Sequence, residues 1–447
     1  MPARWIESLA TTEPLAELFS DESVLRAMLT FETALARAEA RVGVIPQSAA
    51  EAIESAAGAG DFNMPELARD TFRAGTPGIP LVKALTERVR ASNEEAARFV
   101  HWGATSQDVA DTALMLLLRQ AQHVLELDYT RLGNALTKMS REHRGTVMLG
   151  RTLLQAAPPI TLGLKAAGWL AAVRRCWTRL SRAFSEALIL QFGGASGTLA
   201  ALGNKGTEIS RALAEELGLG YPDAPWHTHR DRLASLVAGL GVLTGSLGKM
   251  ARDIALLMQT EVGEAAEPGG GGRGGSSTMP HKQNPIACSL TLAAANQTPG
   301  LVAAFLTAMI QEHERGVGGW QSEWPTVVGV VQSTGLALAS MAEAADGLTI
   351  DESRMRANIA STRGNIFAER AMILLGAKLG RDVAHGIVQQ AVQRSIIESR
   401  RLVEVLAEMP EITALVPLDE LRELERPEDY LGSANEFRER LTSPEED

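Results

Sequence analysis

Between Glu267 and Pro285 the sequence reads EPGGGGRGGSSTMPHKQNP. Six glycines between Gly269 and Gly275 surround Arg273 and allow backbone conformations closed to other residues, so the stretch predicts a mobile loop rather than a helix or strand interior. Ser276, Ser277, Met279, His281, Lys282 and Asn284 follow at once. A flexible arm with a hydroxyl and a cation is what closure over an anionic substrate needs. A serine hydroxyl is far too weak an acid to ionise alone, so proton transfer by Ser276 would require oriented donors and a cation such as Lys282. The same hydroxyls also suit a helix N-cap, and glycine-rich stretches are often linkers.

Three other sets of residues carry chemistry. His101, Thr105, Ser106 and Asp108 lie in VHWGATSQDVADT, where short hydroxyls before a long apolar pattern can cap a helix or bind an anion. Arg151 follows Gly150 and precedes Thr152, Leu153 and Gln155. Arg315 ends QEHER, with Glu312 and Glu314 near enough for a local ion pair. Metal chemistry has little support: no H-E-x-x-H occurs, and His227-Thr228-His229 alone is weak. Gly193–Gly197 has its third glycine misplaced for a dinucleotide fingerprint.

The elements that must position these residues read as helices. Ser20 can cap a helix in which Met28, Phe31, Leu35, Ala38 and Val42 recur at three- and four-residue spacing until Gly43. Shorter segments follow to Phe99. Leu114 to His143 is then near-heptad over about 30 residues, or about 45 Å if helical. Leu162–Leu180 and Leu233–Leu257 continue the pattern, the latter interrupted by glycines that close helix packing tolerates. Ile286–Ile310, with a kink expected at Pro299, and Thr326–Leu348 complete five long apolar helices. The expected class is all-α, in three segments: 1–112, a central long-helix bundle over 113–349 carrying the loop 267–285, and a smaller helical 350–447 beginning near the cap Asp351. Several long helices are apolar on more than one face, which predicts an oligomer. The charge-dense stretch Asp419–Asp429 reads as a solvated face.

On GSSTMPHKQNP, and on IPLVKAL, VHWGATSQDVADT, GRTLLQAAPPITLG, LQFGGASGTLAALG, PWHTHRDRL and QEHER in that order, the chain resembles the fumarase/aspartase superfamily over almost its whole length. It is most similar to the superfamily's cycloisomerase branch. The resemblance implies a three-domain fold with a central five-helix bundle, and a homotetramer with active sites each assembled from three chains. It implies that Ser276 transfers the proton, with Lys282 as its catalytic partner. His101, Thr105, Ser106, Arg151, Thr152, Gln155, Ser277, Met279, Asn284 and Arg315 would contact a small polycarboxylate, while Asp108 is structural. No cofactor and no metal are implied.

One departure is informative. Amine-expelling members have GRTH, whose histidine acts with a glutamate just after the loop; here Leu153 and Ser289 stand at those positions. A departing amine benefits from protonation, whereas a carboxylate, with a conjugate acid of pKa about 4, leaves unaided near neutral pH. Loss of both residues therefore favours a lactonising enzyme. The alternatives are another superfamily lyase, such as one releasing fumarate from an amine adduct, and a helical tetramer that binds ligand without turnover.

The 447 residues include only 4% aromatics and carry a net charge of −11, which argues against a nucleic-acid surface. Cys176 and Cys288 lie far apart, so no disulfide framework or zinc ribbon is indicated. No export signal is visible at the N-terminus, and Leu233–Gly248 is too short and glycine-rich for a membrane span. The expectation is a cytoplasmic protein with no membrane partner.

Overall fold

The Ser20 hydroxyl accepts a hydrogen bond from Ser23 N at 3.3 Å, Asp21 and Glu22 occupy the first turn, and Gly43 ends the helix at φ 77°. Helix α1 (Asp21–Val42) therefore begins and stops where local rules place it. This computed structural model describes residues 5–58, 60, 62–269, 274–275, 278–279 and 282–443. After α1 come α2 (Ser106–Glu142), strands β1 (Val147–Thr152) and β2 (Gln155–Thr161), then α3 (Leu162–Ala187) and α4 (Gly206–Leu217). They are followed by α5 (Asp231–Met258), α6 (Ile286–Ala308), α7 (Gly319–Gly347) and α8 (Glu352–Ser361), with shorter helices between and beyond. The long helices expected from apolar spacing are α2, α3, α5, α6 and α7.

The chain divides into two compact units, Met1–Thr130 with Arg175–Gly248 and Leu290–Ser340, and Arg131–Arg174 with Lys249–Ser289 and Met341–Asp447. In the first, α1 packs against α4 and the helix Gln47–Gly58. Ala36, Ile45, Ala50, Ile53, Leu85 and Val89 form a buried cluster there. Two glycines of α5 are close-packing positions: a Cβ on Gly241 would lie 2.8 Å from Val302 Cγ2, and one on Gly248 2.7 Å from Ala295 Cβ. Helices α5 and α7 are apolar and long enough to cross a membrane by composition, yet their apolar windows are 56% and 72% buried within the protein, as bundle helices are.

Helix α7 starts at Gly319, seven residues before the expected Thr326, and runs through Pro325. Glycine and proline mark a break locally, but Trp320 Nε1 donates to Asp111 Oδ1 at 2.9 Å and Glu323 pairs with Arg230, so tertiary bonds hold the first turns. Helix α6 likewise continues past Pro299.

In the second unit β1 and β2 form an antiparallel hairpin, with Thr152 opposite Gln155. Alternation along β1 sends Val147 and Leu149 to a cluster with Ile359, Ile366 and Phe367, and Met148 to another with Leu162, Leu257 and Met355. Both faces of this short ribbon are thereby anchored. Its two-residue tip, Leu153-Leu154, has φ of 51° and 65°, and these side chains are 96% and 76% exposed. Asp351 caps α8 by accepting Arg354 N at 2.8 Å, as expected.

Candidate active site

In the first unit the start of α2 is built around Asp108. From the first turn its carboxylate reaches back to Thr105 N at 3.1 Å, closing half of a capping box. It also accepts Gly193 N at 3.1 Å, Gly194 N at 2.8 Å, Gln191 Nε2 at 3.2 Å and the His227 ring Nε2–H at 2.7 Å. One fully buried carboxylate thus ties together three motifs far apart in sequence, and the structural role expected of Asp108 is what these bonds describe. Gly194 must be glycine: at φ 66° a Cβ would stand 2.8 Å from Gly103 O. His227 is committed to this carboxylate, and no cluster of three or more metal-ligating residues occurs among the described residues.

Arg315 approaches the same place. Its guanidinium donates to Gln107 Oε1 at 3.0 Å, Gly194 O at 3.2 Å and Ala195 O at 2.8 Å. The local ion pair with Glu312 or Glu314 does not form among the described residues; Glu312 instead accepts Val317 N at 2.8 Å. Among the described residues the Arg315 guanidinium is therefore held by neutral carbonyls and not by a carboxylate. Thr105 and Ser106 sit half-buried at the start of the 37-residue α2, where free backbone N–H groups favour anions. His101 is half-buried on the preceding turn with φ 59°, its Nδ1 2.6 Å from Glu32 Oε1. Within the first unit Asp108 and Gly194 thus link Thr105 to Arg315, with Ser106 next to Thr105 and His101 four positions before it in the chain.

Beneath it lies a charged layer. Arg230, 2% exposed, donates to Asp111 at 2.8 and 3.1 Å and to Glu323 at 3.0 Å, with the Trp226 ring 4.6 Å away. Burial pushes the Glu323 carboxyl up to about 7 against the opposing pull of Arg230. Asp111 is an interior ion-pair partner.

The second unit holds the remaining expected residues. Arg151 forks Glu264 through bonds of 3.0 and 2.6 Å, and Asn358 Nδ2 adds a third to the same carboxylate at 2.7 Å. Thr152 and Gln155 are exposed at the hairpin tip. Lys282 is exposed, its backbone N donating to Met279 O at 3.0 Å, and its ammonium has no carboxylate partner among the described residues. Met279 is 42% exposed and Asn284 half-buried, with Asn284 N bonded to Gly274 O at 2.8 Å. Ser276, Ser277 and His281 lie outside the described residues.

Several residues of this region escape motif reading. Glu267, 2% exposed, accepts Ala287 N at 2.9 Å and Cys288 N at 2.8 Å, capping α6 from upstream. Burial, with Glu267 beside it, pushes the Cys288 thiol well up and keeps it inert. At the position of the family glutamate, the Ser289 hydroxyl turns back to Pro285 O at 2.7 Å. In the first unit Glu32 also escapes motif reading, though an acid set within the apolar stripe of α1 is a signal the sequence carries.

Comparison with known proteins fixes the class. Residues 7–300 match the lyase family model and residues 364–441 the adenylosuccinate lyase C-terminus model. The chain belongs to this lyase family, that of the fumarase/aspartase superfamily, and has its all-α fold. It is 48% identical to the 3-carboxy-cis,cis-muconate cycloisomerase of Bradyrhizobium diazoefficiens over 94% of this chain and 93% of that one. It is 48% identical to the enzyme of the same name from Pseudomonas aeruginosa, over 96% and 93% respectively. The crystal structure of 3-carboxy-cis,cis-muconate lactonizing enzyme from Pseudomonas putida superposes with a TM-score of 0.93 at 44% identity, covering 98% of each chain.

Proposed function

We propose that this chain is a cofactor-independent cycloisomerase that closes 3-carboxy-cis,cis-muconate to 4-carboxymuconolactone, a step of protocatechuate catabolism in the cytoplasm. The observation that carries the reading, beside the relatives' shared name, is the replacement of the amine-lyase relay. Leu153 occupies an exposed hairpin tip, and Ser289 bonds its own helix. Neither can protonate a departing amine.

In the reaction one substrate carboxylate adds to the conjugated double bond, forming the C–O bond of the lactone. The neighbouring carbon takes up a proton, so a trianion becomes a dianion. Ser276 delivers that proton, by the family resemblance, with Lys282 offsetting charge beside it. Thr105, Ser106 and the start of α2 receive a carboxylate, and His101 and Arg315 supply donors. Arg151, Thr152, Gln155, Ser277, Met279 and Asn284 complete the contacts. The assembly is a homotetramer with shared sites, and the chain divides functionally as 1–112, 113–349 and 350–447.

An ultraviolet assay tests this directly, because lactone closure removes the conjugated diene. Loss of muconate absorbance with formation of the lactone is expected. No muconate turnover, with fumarate released from a succinyl adduct, would assign the chain to another lyase activity; binding without product would make it a non-catalytic tetramer.

A further inference from the structure

The buried stripe of α1 includes Ala27, Met28, Phe31, Leu35 and Ala38, yet two acids lie within it. Glu32 is 1% exposed and Glu39 is fully buried. Seven residues apart, they stand two turns apart on one face. Apolar side chains would pack there at less cost than carboxyls, which must be desolvated. The two acids meet that demand differently. Neither oxygen of Glu39 has a hydrogen-bond partner among the described residues; burial, reinforced by the Glu32 charge, pushes its carboxyl up to about 9, so it stands neutral. Glu32 spends one oxygen on His101, at 2.6 Å from Nδ1, and its Oε2 is unpartnered.

Among the described residues, His101 is the side chain of the candidate site that Glu32 hydrogen-bonds. The ring sits on a left-handed residue, φ 59°, four positions before Thr105 and the start of α2. A histidine in that conformation is strained unless its surroundings hold it. With Nδ1 donating to the carboxylate, the ring's other nitrogen, Nε2, is the atom left for a ligand, and no hydrogen bond to it occurs among the described residues.

We propose that Glu32 is the positioning residue of His101 in the cycloisomerase reaction: its buried carboxylate accepts Nδ1–H, fixes the ring on its strained turn, and presents Nε2–H to a carboxylate of the substrate. This rests on the reading of His101 as a substrate contact. The charge logic agrees with the geometry. Burial by itself disfavours the imidazolium, but Glu32 from α1, through charge and hydrogen bond, and Asp108 from the first turn of α2 outweigh it, so the ring protonates more readily than an ordinary histidine. Glu39, two turns along α1, contributes no charge while neutral. With Nδ1–H held by Glu32, the neutral ring has no proton on Nε2, so only the imidazolium presents Nε2–H to a carboxylate.

The test is Glu32→Gln, which keeps shape and an acceptor oxygen but removes the charge, beside His101→Asn and the double variant. Each is assayed for kcat/KM on the muconate across pH, with thermal unfolding as a control. Because the protonated ring is the competent form, activity falls as pH rises through the His101 pKa. Glu32→Gln is expected to move that alkaline fall to lower pH by about one unit or more, and to lower kcat/KM roughly tenfold near pH 8 with a smaller loss near pH 6. In the His101→Asn background the same substitution should change kcat/KM less than about twofold. A purely structural role would lower the unfolding temperature and leave the pH profile in place, which would overturn the proposal.

Spectra of the protein labelled with 13C at histidine Cε1 give a readout independent of turnover, the His101 signal being assigned by its loss in His101→Asn. It should titrate above about 6.5 in the wild type. Titration at or below that value overturns the proposal even if Glu32→Gln does not fold. Wild-type activity in His101→Asn would instead defeat the reading of His101 as a substrate contact. Impairment of that variant with an unchanged Glu32→Gln would defeat the role of Glu32 alone.

Discussion

The Arg151 guanidinium grips the Glu264 carboxylate through two hydrogen bonds, of 3.0 and 2.6 Å, and the Glu264 side chain is fully buried. Removing the arginine leaves that carboxylate with Asn358 as its remaining side-chain donor among the described residues. Arg151→Met is expected to destabilise the fold by on the order of 2 kcal/mol, below the usual figure for a fully buried pair because the arginine is partly exposed. Urea unfolding measures this directly. An unchanged midpoint would mean that the pair contributes nothing net.

Lys282 and Arg315 both lack a carboxylate partner among the described residues, but they are held differently. Lys282 stands exposed on its loop, whereas Arg315 bridges Gln107, Gly194 and Ala195. Lys282→Met should lower kcat/KM by about 100-fold with no change in unfolding temperature. Arg315→Met should lower kcat/KM less and also lower the unfolding temperature, because the Gly194 loop loses its clasp. A larger kinetic loss at Arg315 would move the main anion-binding charge to that residue.

Glu39 sets a pH dependence of stability. Its folded carboxyl is raised to about 9 from 4.5, so folding favours the protonated form. The stability it allows is present in full below about pH 4.5 and is lost as pH rises towards about 9. Glu39→Gln, which cannot ionise, should flatten the unfolding-temperature profile across that window and be more stable than the wild type near pH 8. Parallel profiles for the two proteins would place an ionised Glu39 in the native state.

Ser276→Ala tests the proton-transfer role assigned by family resemblance. Turnover should drop by about 100-fold or more while the assembly survives. Near-normal turnover would remove this hydroxyl from the mechanism.

What could be read from sequence was local. Ser20, Gly43 and Asp351 act through bonds to residues three or four positions away, and the periodic apolar residues of α2 and α5 needed no knowledge of their partners. What could not be read depends on distant chain. Asp108 finds Gly193 and His227 at separations of 85 and 119 residues, and Arg151 finds Glu264 at 113. The early start of α7 has the same cause, since Trp320 and Glu323 are fixed by Asp111 and Arg230. Glu32 and Glu39 lie between these cases: acids at seven-residue spacing within an apolar stripe are visible in one dimension, but only folding reveals that one meets a histidine and that the other has no hydrogen-bond partner among the described residues.

The hairpin tip carries a last consequence. Leu153 and Leu154 occupy a turn whose two positive φ values suit Asn-Gly, and a left-handed leucine costs about 1–2 kcal/mol. Replacing the pair by Asn-Gly would relieve that strain and remove greasy surface from solvent. A more heat-resistant variant thus lies two substitutions away, and whatever activity it forfeits would measure what this chain gains by keeping an ill-suited turn.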